Sequence, residues 1–392
     1  MKYNFLAGAD RRHTDCAKWD EFGGDFIPLW VADMDFNVAP CITEAINKRN
    51  SHPIFGYAFP GDDWYEAWIN FIKDRHGFEI KKEWMFFATG VIPIVSSTVR
   101  KMSKEGDNVL LLTPIYGTFF NSIVNNNRIP LESKMIYKDG EYHIDWKDLE
   151  EKMSLDNTPL MIFCNPHNPT GQLWDKETMM KIGELAYKHH VVVLSDEIHS
   201  ELTDPGVKYI PYASVNDINK NNSIIAISTS KWFNLASIQA AMCYIPNEEI
   251  KKKVERQLNT DECAEPNAFA CPVTVAALNN GREWLDEARE VIKDNKDFMV
   301  DYIKNNIPDI EVIRGKATYM SWLNVSKFTA DSNDLCQYLL KKHKVLFSPG
   351  TNFRGDGINY LRINVACPRS QLIEGLNRFK EGIIKYKNER NR

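Results

Sequence analysis

Five short apolar runs in the middle of the chain, VLLL (109–112), LMIFC (160–164), VVVLS (191–195), SIIAIS (223–228) and AMCYI (241–245), are too continuously apolar for strands that face water on one side. Longer patterns with helical spacing lie between several of them, such as IPIVSSTVRKMSKEG after Gly90 and DKETMMKIGELAYKHH before VVVLS. Strands buried on both faces and alternating with helices argue for an α/β fold around a mainly parallel sheet. From about residue 285 the rhythm changes to a long charged helix (EWLDEAREVIKDNKDFMVDYIKNN), short strands around EVIRG, YMSWLNV and YLRINVA, and a last helix, SQLIEGLNRFKEGIIKYKNERN. That part reads as a smaller α+β unit. The expected organisation is residues 1–50 as an N-terminal arm and part of the small domain, 51–284 as the large domain, and 285–392 as the C-terminal small domain.

With 392 residues, 43% of them hydrophobic, the chain can bury a large core. Its net charge of −5 gives no basic footprint for nucleic acid, and no polybasic segment accompanies an amphipathic helix that would bind a membrane surface. The N-terminus, MKYNFLAGADRRHTDCAKWD, lacks the apolar core of a signal peptide, and no run reaches the length of a membrane span, so a cytoplasmic location is expected. Eight cysteines are scattered without a CxxC pair, several inside apolar runs, which fits reduced, buried thiols. No HExxH or zinc-type Cys/His spacing supports a metal site, and no GxGxxG follows the first strand of the sheet as a dinucleotide fold would require. A small-molecule partner is the expectation that remains.

Ligands of open α/β sheets sit at the carboxyl ends of the strands, so the residues just after each apolar run belong together. They are ATGVIP (88–93), TPIYG (113–117), NPHNPTG (165–171), SDEIH (195–199) and STSK (228–231). Gly90 before a helical pattern is either simple turn chemistry or an anion site, where unpaired backbone N–H groups face a ligand. Ser228 and Ser230, two apart near a strand end, could donate to the same phosphate. Asp196 either caps a turn or holds a ring nitrogen protonated. Asn168 either donates to a ring hydroxyl or stabilises a Pro-rich turn, and Tyr116 either stacks on a planar ring or fills the core. Taken with Lys231, these residues form the binding set for pyridoxal 5′-phosphate held as a Schiff base.

The motifs NPHNPTG, SDEIH and SxSK, in that order and followed by YLRINVACPR, resemble the fold-type I pyridoxal-phosphate superfamily, class I/II aminotransferase group. Within it the chain is most similar to the MalY/PatB-type cystathionine β-lyases, or C–S lyases, through PLWVADMDF (28–36), HPIFGYAFPGDDWYEAW (52–68), FATGVIP, CNPHNPTG, SDEIHSEL and SKWFNLAS. The resemblance implies the aspartate aminotransferase fold: a large domain with a mainly parallel seven-stranded sheet, plus a smaller α+β domain. It implies that Lys231 forms the Schiff base, that Asp196 pairs with the pyridine nitrogen, and that Asn168, assisted by His199, contacts the phenolic oxygen. Tyr116 would stack on the ring. Val91 and Ile92 would offer backbone N–H groups to the phosphate, joined by Ser228 and Ser230. Arg362 would take the substrate α-carboxylate, with Asn168 and Ala32 beside it, and Arg369 would be structural. Tyr57 would reach the phosphate of a neighbouring subunit, which implies a homodimer.

One position departs from the aminotransferase pattern. Eight residues after Lys231, where many aminotransferases of the group carry an arginine for the phosphate, stands Gln239. The expected activity is β-elimination on a sulfur amino acid, giving pyruvate, ammonia and a thiol. The alternatives are an aminotransferase and, from another class, a non-catalytic regulatory or binding protein on the same fold. Trp30, Tyr57, Trp232 and Trp322 either wall the substrate pocket or belong to the core.

Overall fold

The computed structural model describes residues 1–23 and 25–390. Its centre is a seven-stranded sheet of β1 (Met85–Ala88), β2 (Asn108–Thr113), β3 (Ile129–Lys134), β4 (Leu160–Cys164), β5 (Val192–Asp196), β6 (Ser223–Ile227) and β7 (Ala241–Tyr244), in the order β1-β7-β6-β5-β4-β2-β3. The pairs from β3 through to β6 are parallel, and β7 runs antiparallel to both its neighbours. All five apolar runs are strands of this sheet. The two strands that the apolar pattern does not reveal stand at its edges: β1 has only four residues, and β3, IPLESK, is partly exposed and mixed in composition.

Alternation within the strands divides the core into two layers. Val109 and Leu111 point to one face with Ile162, Leu194 and Ile224, under the helices Val91–Met102 and Glu248–Thr260. Leu110 and Leu112 point to the other with Met161, Phe163, Val193 and Ile225, under Asp62–His76, Lys176–Lys188 and Ala270–Asn280. Helices on both faces are what the continuous apolar runs require.

The C-terminal part holds a four-stranded antiparallel sheet of β8 (Glu311–Ile313), β9 (Met320–Asn324), β10 (Ser348–Pro349) and β11 (Tyr360–Asn364), in the order β8-β9-β11-β10. The helices Arg282–Asn306 and Arg369–Arg390 pack against each other beside it. Near the N-terminus, Ile27–Pro28 pairs in parallel with Val345–Leu346, while the helix Pro40–Asn50 packs on Ala270–Asn280. The first fifty residues therefore touch both sheets' surroundings. Among the described residues no helix is long and apolar enough to cross a membrane. All eight cysteines are unpaired, five buried and three half-buried.

Two of the undecided tryptophans are core. Trp322 stacks on Tyr360 at 5.0 Å between ring centres and donates to the Tyr142 hydroxyl. Trp232, fully buried, stacks on Phe71, meets Trp68 edge-on and donates its indole N–H to the Ile198 carbonyl at 2.9 Å. Because Trp232 follows Lys231 directly, its burial fixes the turn that carries the lysine. Trp232→Ala should destabilise the fold by about 3–5 kcal/mol, from lost apolar burial and the cavity left behind. The midpoint of urea unfolding, followed by tryptophan fluorescence, checks this.

Candidate active site

The turns after β2 and β6 bring Tyr116 and Lys231 to a cavity of about 680 Å³ that Trp30, Ala32 and Arg362 also line. Lys231 stands four residues beyond β6, and its Nζ donates to the Ala32 carbonyl at 2.6 Å. Burial is the main force on this amine and lowers its pKa to about 8; the charges of Asp33 and Asp196 act against the shift, and Arg362 adds to it. Asp196 closes β5, buried, with one carboxylate oxygen accepting from the Ile198 N–H at 3.1 Å. Burial lifts its pKa to about 7, against the pull of the Lys231 charge.

Arg362, on β11, enters the cavity from the other sheet. It is 4% exposed, yet among the described residues no carboxylate lies within ion-pair distance of it. Its guanidinium donates to the Asn168 side-chain oxygen at 3.1 Å, the Trp30 carbonyl at 2.8 Å and Ser348 Oγ at 3.2 Å, and Nε has no partner. Burial lowers its pKa to about 10, so it remains cationic at neutral pH. A buried arginine held only by neutral acceptors is arranged to receive an anion. The bond to Asn168 uses that residue's oxygen and leaves its NH₂ as the available donor.

His199 is buried with Nδ1 unpartnered, and its ring meets Tyr319 edge-on at 6.2 Å. Burial, together with the charges of Lys231 and Arg362, holds its pKa well below the usual histidine value, so the ring is neutral. At the end of β1, Gly90 leads into the helix Val91–Met102 without a side-chain cap, leaving the first N–H groups, those of Val91 and Ile92, facing outward from the helix start. The buried Ser228 hydroxyl donates to the Ala240 carbonyl at 2.7 Å and accepts from the Ser230 N–H at 3.0 Å, and Ser230 itself is half-buried.

Tyr116 and Trp30 line the cavity. Tyr57 stands apart, fully exposed in a segment without regular structure that also exposes Ile54, Phe55 and Phe59. Arg369 donates to Asn295 at 2.6 Å and covers the Phe298 ring, a packing role. Gln239 is exposed in a left-handed conformation, at φ 54°.

Sequence reasoning missed the residues that hold Ala32. Tyr319 donates to the same carbonyl at 2.8 Å, from a fully buried position. Asp33 pairs with Arg11 at 2.6 Å and with buried Lys18 at 3.2 Å. Two carboxylates within VADMDF, an otherwise apolar stretch, were the available signal. Removing the Asp33 charge takes away an influence that raises the Lys231 pKa. Asp33→Asn should therefore move the midpoint of Lys231 acylation below about 8. The rate of labelling by an amine-directed reagent against pH, in protein freed of bound small molecules, measures the shift. Stability carries an opposite signature at Asp196, whose raised pKa lets the native state bind more protons between the usual carboxylate value and about 7. Unfolding free energy should fall as pH rises through that window, and Asp196→Asn should flatten the fall.

The profile of the family described as aminotransferase class I and II matches residues 24–379. Cystathionine beta-lyase PatB of Bacillus subtilis is 36% identical over 97% of this chain and 100% of that protein, and protein MalY of Escherichia coli is 30% identical over 95% and 97%. The crystal structure of cystalysin from Treponema denticola, which contains a pyridoxal 5′-phosphate cofactor, superposes with a TM-score of 0.95 at 29% identity, covering 98% of this chain and 100% of that one. With a profile match across most of its length and relatives of this identity, the chain belongs to the class I and II aminotransferase family.

Proposed function

We propose that this protein is a C–S β-lyase that carries pyridoxal 5′-phosphate on Lys231 and cleaves a sulfur amino acid, such as cystathionine, cystine or an S-substituted cysteine, to pyruvate, ammonia and a thiol. The observation that carries the reading is one cavity holding a lysine amine of lowered pKa and a buried arginine without a carboxylate. The full-length likeness to a cystathionine β-lyase supports it.

The residues present fit that cofactor. A buried, unpartnered His199 Nδ1 and the free NH₂ of Asn168 suit a phenolic oxygen. The N–H groups of Val91 and Ile92, with the hydroxyls of Ser228 and Ser230, suit a phosphate. Ser228 holds that turn in shape. Asp196 suits a protonated ring nitrogen, since an adjacent cation would restore the ionised form that burial disfavours. Tyr116 would cover one face of the ring. When bound, the cofactor supplies an electron sink for the carbon beside the substrate nitrogen.

The chain's own residues do the rest. Arg362 grips the substrate α-carboxylate, near Asn168 and Ala32, and so sets the Cα–H bond facing Lys231. The Lys231 amine accepts the α-proton; at a pKa of about 8 it can act as a base near neutral pH. The C–S bond breaks as the thiolate departs and is protonated, and the three-carbon fragment hydrolyses to pyruvate and ammonia. Gln239, exposed where transaminating relatives use an arginine, leaves phosphate binding to the helix start, Ser228, Ser230 and Tyr57 of a neighbouring subunit. The exposed segment with Tyr57 supports a homodimer in which Tyr57 completes the partner's site. The absence of a membrane-crossing helix among the described residues and the unpaired cysteines support a cytoplasmic location.

L-cystathionine offered alone should yield pyruvate and thiol; turnover that requires added 2-oxoglutarate would instead assign transamination. Lys231→Ala should abolish turnover, and Asp196→Ala should cost about 10²-fold or more in kcat, comparable with losing a proton-positioning group. Mixing inactive Lys231→Ala with Tyr57→Ala subunits should restore activity, because one site of each mixed dimer then has both residues. No recovery in verified mixed dimers would sink the shared site.

A further inference from the structure

We infer that Arg354 is a second carboxylate-binding residue of the substrate cavity, so that the preferred substrates are amino-acid thioethers and disulfides whose departing half also ends in a carboxylate. This rests on the lyase reading and names its substrate class.

The lining of the cavity includes three cationic side chains, Lys231, Arg354 and Arg362, and no aspartate or glutamate. The lyase reading uses two of the three: Lys231 for the cofactor and proton, Arg362 for the α-carboxylate. Arg354 remains. Among the described residues no carboxylate lies within ion-pair distance of it, and its guanidinium rests over the Phe120 ring at 5.3 Å from the centre. Stacking of this kind orients an arginine without consuming its forked donors.

The backbone that carries Arg354 is pinned to the reacting end of the site. Phe353, its neighbour, accepts from the Ile115 N–H at 2.9 Å and lies under the Arg362 guanidinium at 4.8 Å. Arg354 itself has φ 60°, and Gly355, at φ 58°, comes so near Pro114 that a Cβ there would meet Pro114 N at 2.8 Å. One short loop therefore fixes Arg354 at the mouth and backs Arg362 at the base. Asn121, Asn333 and Asn352 complete the mouth with neutral amides, whose oxygens suit an ammonium group. A cation and amides together match the free end of a second amino acid, as in cystathionine or cystine, whereas a plain S-alkyl group would leave them unused.

The test compares holoenzyme of the natural sequence with Arg354→Gln and Arg354→Lys on L-cystathionine and S-ethyl-L-cysteine, measuring pyruvate release. Loss of a charge-assisted hydrogen bond should lower kcat/KM for L-cystathionine about tenfold or more, mainly through KM. S-ethyl-L-cysteine should change by less than about twofold, the usual scatter of a neutral surface change, and Arg354→Lys should recover part of the loss. As a readout independent of turnover, glutarate should bind to the holoenzyme more tightly than butyrate by calorimetry, and Arg354→Gln should remove the difference. An equal fall on both substrates, or no fall on either while pyruvate is still made, overturns the assignment and leaves the lyase reading standing. If the natural enzyme makes pyruvate from neither, the lyase reading fails, and the glutarate comparison still decides whether Arg354 takes a second carboxylate.

Discussion

The hydrogen bond from Lys231 Nζ to the Ala32 carbonyl joins residues 199 positions apart, and the other parts of the site are arranged around it. Ala32 lies in the stretch 30–36, which no sheet holds directly. Instead, side chains from three regions clamp it: Asn234, three residues past the lysine, bonds the backbone of Met34 and Phe36; Asn364, beyond Arg362, bonds the carbonyls of Val31 and Asp33; Tyr319 shares the Ala32 carbonyl. Beneath lies an ionic floor in which Lys18, 1% exposed, meets Asp33 and Asp35, and Arg11 meets both carboxylates from outside. Pairing offsets the cost of burying such charges, and removing one partner of a buried pair typically costs about 3–5 kcal/mol. The N-terminal arm thus sets both the position of the Lys231 acceptor and part of the field that the amine feels.

Burial moves the two central ionisable groups toward each other. It lowers the amine of Lys231 to about 8 and lifts the carboxyl of Asp196 to about 7. Each group's charge opposes the shift of the other, so neither reaches the limit that burial alone would impose. They differ in what each faces. Lys231 lines the open cavity, while Asp196 is buried at the end of the central sheet.

Much of this was legible in the sequence because the fold places chemistry at strand ends. Continuous apolar runs marked five strands of the central sheet, and of the residues just past them Tyr116 and Lys231 line the cavity, while Asn168 bonds Arg362, which lines it too. Edge strands escaped because partial exposure and short length erase the pattern, as in IPLESK. Spacing alone does not show that the Ser228 hydroxyl meets a carbonyl twelve residues away. Tyr319 escaped for a related reason, since its bond reaches a carbonyl 287 residues away, whereas Lys18 and Asp33 lie only 15 residues apart and the two carboxylates of the apolar stretch VADMDF were their signal. The tryptophans illustrate the converse. Trp30 lines the cavity while Trp232 and Trp322 fill the core, although all three stand in similar apolar surroundings.

Several backbone contacts dock the two sheets, and one of them tolerates only glycine. Gly171, at the end of NPHNPTG, adopts φ 67°, and its carbonyl accepts from the N–H groups of Lys316 and Ala317 at 3.0 Å each. A Cβ at this position would lie 2.7 Å from the Ala317 oxygen and 3.1 Å from Gly315 Cα, so only glycine allows the approach. The segment 315–317 leads straight into β9, which pairs with β11 along its length, so this contact helps to set the height of Arg362 over Asn168. The residue that would grip the substrate and the residue that would hold the ring thus belong to different sheets. Their 3.1 Å hydrogen bond requires that the sheets dock in register, and a larger residue at 171 would separate the grip from the ring without touching either.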